Sequence, residues 1–210
     1  MSKTLAILVG LLLCSSTMAG EIPLKNADFE LPMAGKRIPG WSRTQHAGVR
    51  AYEIERDAES FAHGKQSIRM RRTTEQAYGM ISQVVEAADL AGKQVELTAK
   101  LKTAEVGEQG WVLKMTFLRY SAIIDQVRAM PMTGDTDWTE IAITKEAPAG
   151  TTAIEVGFLL LDGGTGWADD VHLRTRADNE DEAEAASAKS SSAPEDSKPD
   201  KSRQRTAKSM

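Results

Sequence analysis

The 210-residue chain has one cysteine, Cys14. It sits in an amino-terminal apolar run, so a processed chain would hold no disulfide and no thiolate zinc site. Aromatic residues make up only 5% of the sequence, and no long helical periodicity is present. The three histidines, His46, His63 and His172, are scattered. No Ser-His-Asp or histidine-cluster spacing points to nucleophilic or metal-assisted catalysis. No glycine-rich phosphate loop precedes a helix. The formal net charge is −4, which gives a nucleic-acid partner no electrostatic basis. No apolar run is long enough to cross a membrane.

What is present divides the chain in three. Lys3 followed by the apolar residues 5–14 and by Thr17-Met18-Ala19 reads as a signal peptide over residues 1–19, cleaved after Ala19. A lipoprotein reading through Cys14 fails because Leu13 stands where a small residue is needed. Residues 176–210 lack aromatics and are rich in Ala, Ser, Lys, Asp and Glu. Such a segment buries too little apolar surface to offset its ordering entropy, and reads as a disordered tail. Residues 21–175 remain as one exported domain, periplasmic or extracellular, held by its core.

Period-two alternation runs through that domain. Val95, Leu97, Ala99 and Leu101 share one face, and Glu96, Thr98, Lys100 and Lys102 the other. Residues 67–71 and 152–160 alternate in the same way, the latter with Ile154, Val156, Phe158 and Leu160 inward. Residues 111–120 alternate less cleanly, as in a strand covered on both sides. Asn26–Glu30 and Gly166–Leu173 read as first and last strands that pair to close a sheet edge. Turn signals fall between the runs, among them Pro39-Gly40, His63-Gly64, Gly92, Gly107, Gly134-Asp135, Gly150 and Gly163-Gly164. Residues 86–90 hold at most one helical turn. This pattern predicts an all-β, two-sheet antiparallel sandwich.

The order of motifs is informative as well. Asn26-x-x-Phe29-Glu30, Gly40-Trp41, His63-Gly64-Lys65-Gln66-Ser67, Gln83-Val84-Val85, Leu90-Ala91-Gly92-Lys93, Thr136-Asp137-Trp138 and Trp167-x-Asp169-Asp170-Val171-x-Leu173 follow one another. In this order the chain resembles the galactose-binding-like jelly-roll domains, especially the carbohydrate-binding modules of families 4, 9 and 22. The resemblance implies a structural calcium between first and last strands, held by Glu30, by Asp169 or Asp170, and by carbonyls around Lys65. Asp169 is in phase with Val171 and Leu173, so its carboxylate is expected inward, where it needs a cation or donors. Lys65 or backbone amides are the alternative partners.

The resemblance also implies sugar stacking on exposed aromatics. Tyr52, Tyr78, Trp111 and Tyr120 are the candidates, each with packing as the competing role. Trp41, Trp138 and Trp167 stand where packing is expected. Arg69, Arg71, Lys100 and Lys102 alternate outward, with Lys114 on another strand. They would form a basic strip suited to acidic glycans, or a solvated face interleaved with Glu96 and Glu155. The expectation is a non-catalytic module for a carbohydrate or envelope polymer. The alternative is an envelope interaction or scaffolding domain that binds no sugar.

Overall fold

The computed structural model describes residues 19–46 and 48–177. The expected signal segment lies outside these residues but for Ala19, and the expected tail but for Arg176 and Ala177. Ten strands make up the secondary structure, with no helix among the described residues. They are β1 (Gly20–Glu21), β2 (Ser42–Gln45), β3 (Tyr52–Asp57), β4 (Ser67–Arg72) and β5 (Gly79–Glu86). Then follow β6 (Gln94–Arg119), β7 (Ala122–Arg128), β8 (Met132–Glu146), β9 (Ala153–Leu160) and β10 (Thr165–Thr175). Residues 86–90, read as one helical turn at most, form none.

All pairings are antiparallel, and β6 joins two layers. Its first half pairs with β8 and β10, and β10 continues through β4 to β3. Its second half pairs with β7 and β9, and β9 continues through β5 to β2. The strands β2 and β3 are therefore the free edges of opposite layers. The expected all-β jelly-roll sandwich is the observed architecture.

Alternation places the core. Val95, Leu97, Ala99 and Leu101 of β6 face Ile154, Val156, Phe158 and Leu160 of β9, and all eight are buried. Burying a large apolar side chain stabilises by about 1.5–3 kcal/mol. Trp111 and Phe158 stack at 5.8 Å, Phe158 meets Trp41 at 5.7 Å, and Trp41 meets Phe29 at 5.1 Å. A Cβ on Gly166 would collide with the Trp111 ring, so only glycine lets β10 pass there. Val112 faces the other way into a small outer cluster with Met80 and Leu159, as the broken alternation of a doubly covered strand requires.

Two expectations change. Gly107 and Gly134 do not mark turns; both lie inside long strands, where the β6–β8 register shifts between Thr103, Val106 and Trp111. With positive φ at Glu105, Gly110 and Gly134, these positions are bulges that carry β6 from one layer to the other. Asn26–Glu30 is a turn rather than a strand. Asn26 and Phe29 each have φ 54° there, and the Asn26 amide donates to Pro39 O at 3.1 Å while its side-chain oxygen accepts from Leu31 N. The ends of the domain do meet, through Gly20↔Thr175 and Glu21↔Arg174.

Candidate functional site

The junction of the chain's ends brings Glu30 and Asp169 onto one loop. Asp169 Oδ2 accepts from Ala62 N and His63 N, both at 2.9 Å, and Oδ1 accepts from Asp170 N at 2.8 Å. Glu30 Oε1 accepts from Lys65 N at 2.6 Å and Gln66 N at 3.0 Å. Arg56 donates to the carbonyls of Phe29 and Glu30, both at 3.1 Å. Gly64, at φ +67°, packs where a Cβ would strike the Glu30 carboxylate. Asp170 instead turns to His172 at 3.0 Å.

The phase argument for Asp169 is overturned. A bulge between Asp169 and His172, with Asp170 at φ 51°, shifts the register. Asp169 pairs with the outward-facing Lys100, and it is buried because the loop before β4 roofs it. Burial pushes its carboxyl above the ordinary range, opposed by the three N–H bonds.

Glu30 and Asp169, expected as calcium ligands, have amide donors of the loop as their partners in this arrangement. The ion needs oxygen acceptors, whereas the loop turns amide donors to both carboxylates. No group of three or more His, Cys, Asp or Glu gathers to hold a metal among the described residues. The backbone amides named as the alternative are the partners observed.

The expected aromatic platform is dispersed. Trp111 is fully buried, with its indole N–H donating to Trp167 O at 3.1 Å, so it belongs to the core. Tyr52 is also buried, and its hydroxyl donates to Leu160 O at 3.3 Å. Tyr78 lies edge-on to His46 at 6.0 Å. Tyr120 is exposed on the turn between β6 and β7, away from the other three. No two of the four form a common stacking face.

The expected basic strip is present but neutralised. Arg69 pairs with Glu55, Arg71 with Glu53 at 2.6 Å, Lys100 with Glu140 at 2.8 Å and Lys102 with Asp137 at 3.8 Å. Lys102 also lies 5.8 Å over the Trp167 ring, whose N–H donates to Asp57 at 2.9 Å. Lys114 is in the other layer, 3.7 Å from Glu155.

A hollow lies elsewhere, between the free edges β2 and β3. It is a cleft of about 610 Å³ with Tyr52 and Ile54 along its floor and Lys36, Arg37, Arg43 and Arg50 around it. A neighbouring hollow of about 540 Å³ shares Lys36, Arg37 and Arg43. The cleft exists because the two layers part at these edges and two connections bridge them.

The first connection is a tight turn in which Ala34 and Arg37 exchange backbone bonds at 3.1 Å. Ile38 and Trp41 plug its base into the core, leaving Lys36 and Arg37 exposed. Arg43 Nη1 donates to Lys36 O at 2.8 Å, tying strand to turn. Gln45 braces the second connection, donating to Val49 O at 2.8 Å and accepting from Ala51 N at 3.1 Å. Arg50 enters from that side. Burial first, then the charge of Arg50, hold the Arg43 guanidinium below its ordinary value.

Sequence reasoning missed these four cations. One signal was available, because residues 31–52 contain Lys36, Arg37, Arg43 and Arg50 and no Asp or Glu.

The sequence matches no family model and no curated protein. Solved structures do share its architecture. One is the enzymatically active domain of tailspike protein 4 of bacteriophage CBA120, 15% identical with TM-score 0.59 over 72% of this chain. The chain spans about 21% of that chain's length. A cyclase from Fischerella sp. TAU is 16% identical, with TM-score 0.58 over 76% of this chain and 98% of that one. The CBM22-1 xylan-binding domain of Paenibacillus barcinonensis Xyn10C is 20% identical, with TM-score 0.52 over 71% of this chain and 91% of that one. These likenesses show the jelly-roll fold, which hosts both binding modules and enzymes.

Proposed function

We propose that the chain is an exported, non-catalytic module that binds a carbohydrate polymer in the β2/β3 cleft. The observation that carries this reading is the cleft itself: an open trough of about 610 Å³ whose rim holds four donor-bearing side chains over a Tyr52–Ile54 floor. An extended chain enters and leaves such a trough freely. The likeness to a xylan-binding domain supports the polymer class, and the character of residues 1–19 supports export. A cyclase and a tailspike enzyme share the fold, but the chemistry of this cleft favours binding. Arginine and lysine at the rim donate hydrogen bonds, and the lining holds no carboxylate, imidazole or thiol to act as acid, base or nucleophile.

Affinity electrophoresis of the full chain through gels holding neutral and acidic polysaccharides tests the reading. At least one polymer should retard the protein, and Thr44→Trp, which fills the cleft from an exposed strand position, should abolish the retardation. Migration unaffected by every polymer, or retardation that survives Thr44→Trp, would overturn it. The scaffolding alternative would then be favoured, with Tyr120 and Ile123, 83% and 62% exposed near the β6–β7 turn, as its contact patch.

A further inference from the structure

The cations of the cleft are set apart by being gathered around one hollow with no acidic residue in its lining. Lys36, Arg37, Arg43 and Arg50 come together around one trough. None of the four faces a carboxylate within ion-pair distance among the described residues, whereas Arg69, Arg71, Arg72, Lys100, Lys102 and Lys114 each do. Glu53 and Glu55 line a hollow of about 370 Å³ that shares Lys36, Arg43 and Arg50 with the trough, but both carboxylates turn to Arg71 and Arg69 across the β3–β4 pair. The fold therefore holds like charges close together, with Arg43 half-buried, and leaves them uncompensated. Mutual repulsion of that kind is relieved when an anion enters.

We infer that the trough selects a carboxylated polysaccharide, a polymer of uronic acid units. The inference rests on the carbohydrate reading above and names the chemical class of its ligand. A guanidinium fork matches the two oxygens of a carboxylate in a bidentate pair, so three arginines suit this anion better than lysines would. The positive charges are spread over three elements: the turn before β2, β2 itself and the entry to β3. That spacing suits one negative charge per sugar along a chain, rather than a single compact dianion. Thr44 adds an exposed hydroxyl on the same wall for sugar hydroxyls. The chain as a whole carries a formal −4, so indiscriminate attraction of polyanions is not expected.

The test is calorimetric titration of the full chain with polygalacturonate, its methyl ester, dextran sulfate and neutral xylan. Polygalacturonate should bind and weaken as salt rises, while the methyl ester and xylan should bind at least tenfold more weakly. Arg50→Gln and Arg43→Gln should each lower polygalacturonate affinity by about tenfold or more, as expected for losing a hydrogen bond to a charged group. Arg71→Gln, outside the cleft, should leave it unchanged. Melting curves of the variants separate lost binding from lost folding, and exposed Arg50 serves where half-buried Arg43 perturbs the turn.

Equal binding of xylan and polygalacturonate would overturn the carboxylate inference and leave the carbohydrate reading standing. Dextran sulfate binding as tightly as polygalacturonate, or an equal loss in Arg71→Gln, would reduce the effect to general charge attraction and overturn it as well. No binding of any of the four polymers would overturn the inference and count against the carbohydrate reading.

Discussion

Two sets of basic side chains on this domain teach opposite lessons. On the outer face of β4, β6 and β10, Arg69, Arg71, Lys100 and Lys102 each meet a carboxylate from a neighbouring strand. Cross-strand pairing supplies these partners, since β3 brings Glu53 and Glu55 opposite Arg71 and Arg69, and β8 brings Glu140 opposite Lys100. In the β2/β3 cleft, Arg43 stands on an edge strand that no strand completes, and Lys36, Arg37 and Arg50 stand on the connections beside these edges. A paired cation contributes to the sheet and has little left for a ligand. An unpaired one costs the fold a little and remains free for an anion.

The largest effect is expected where charge is most fully engaged. Asp169→Ala leaves the amides of Ala62, His63 and Asp170 without their acceptor. A buried donor left unpaired costs about 1–3 kcal/mol, and each kcal/mol lowers Tm by roughly 2–4 °C in a domain of this size. Calorimetry should therefore show a fall of several degrees; an unchanged Tm would mean that the loop before β4 is not held by this carboxylate.

The second effect appears with pH. Burial alone would raise the Asp57 carboxyl, but the Trp167 indole N–H, the amides of Glu59 and Ser60 and the charge of Arg69 hold it below the ordinary range. A depressed folded value means the stabilisation is present above the usual carboxylate pKa of about 4 and is lost as pH falls through the folded value. Asp57→Asn should melt lower than the wild type at pH 7, and the gap should narrow toward pH 3. A gap that stays constant would show that Asp57 does not contribute through its charge.

Smaller still, and directly on the comparison, are two single changes of opposite sign. Arg71→Gln removes a partnered charge and should lower Tm slightly. Arg50→Gln relieves repulsion on Arg43 and should leave Tm unchanged or raise it slightly. If both fall alike, the cleft is not electrostatically frustrated. The smallest effect concerns metal: melting curves in calcium and in chelator should coincide, because amides already satisfy Glu30 and Asp169. A chelator-induced fall would restore a cation to that junction.

The sequence carried the layers because alternation is a local signal. Residues 95–101 and 154–160 declare their inward faces without reference to partners. Bulges were hidden, since a single left-handed residue such as Asp170 resets the phase and period-two counting runs past it. For the same reason Gly107 and Gly134 read as turns when they bend continuous strands. The amides that hold Asp169 leave no residue-type signature, because every backbone supplies them. The cleft was invisible for a different reason. Three of its four cations, Lys36, Arg37 and Arg50, lie in the connections outside β2 and β3, where no alternation marks which way a side chain faces. Only the missing acidic residues over 31–52 hinted at it.

The most direct test of the cleft as the binding site is a nuclear magnetic resonance titration of the isotope-labelled protein with oligogalacturonate. The arginine side-chain Nε–Hε signals of Arg43 and Arg50 and the backbone amide of Thr44 should shift together and saturate, while those of Arg69 and Arg71 stay in place. Shifts confined to the outer face of β4, β6 and β10, or no shifts at all, would contradict the assignment of function to the β2/β3 edge.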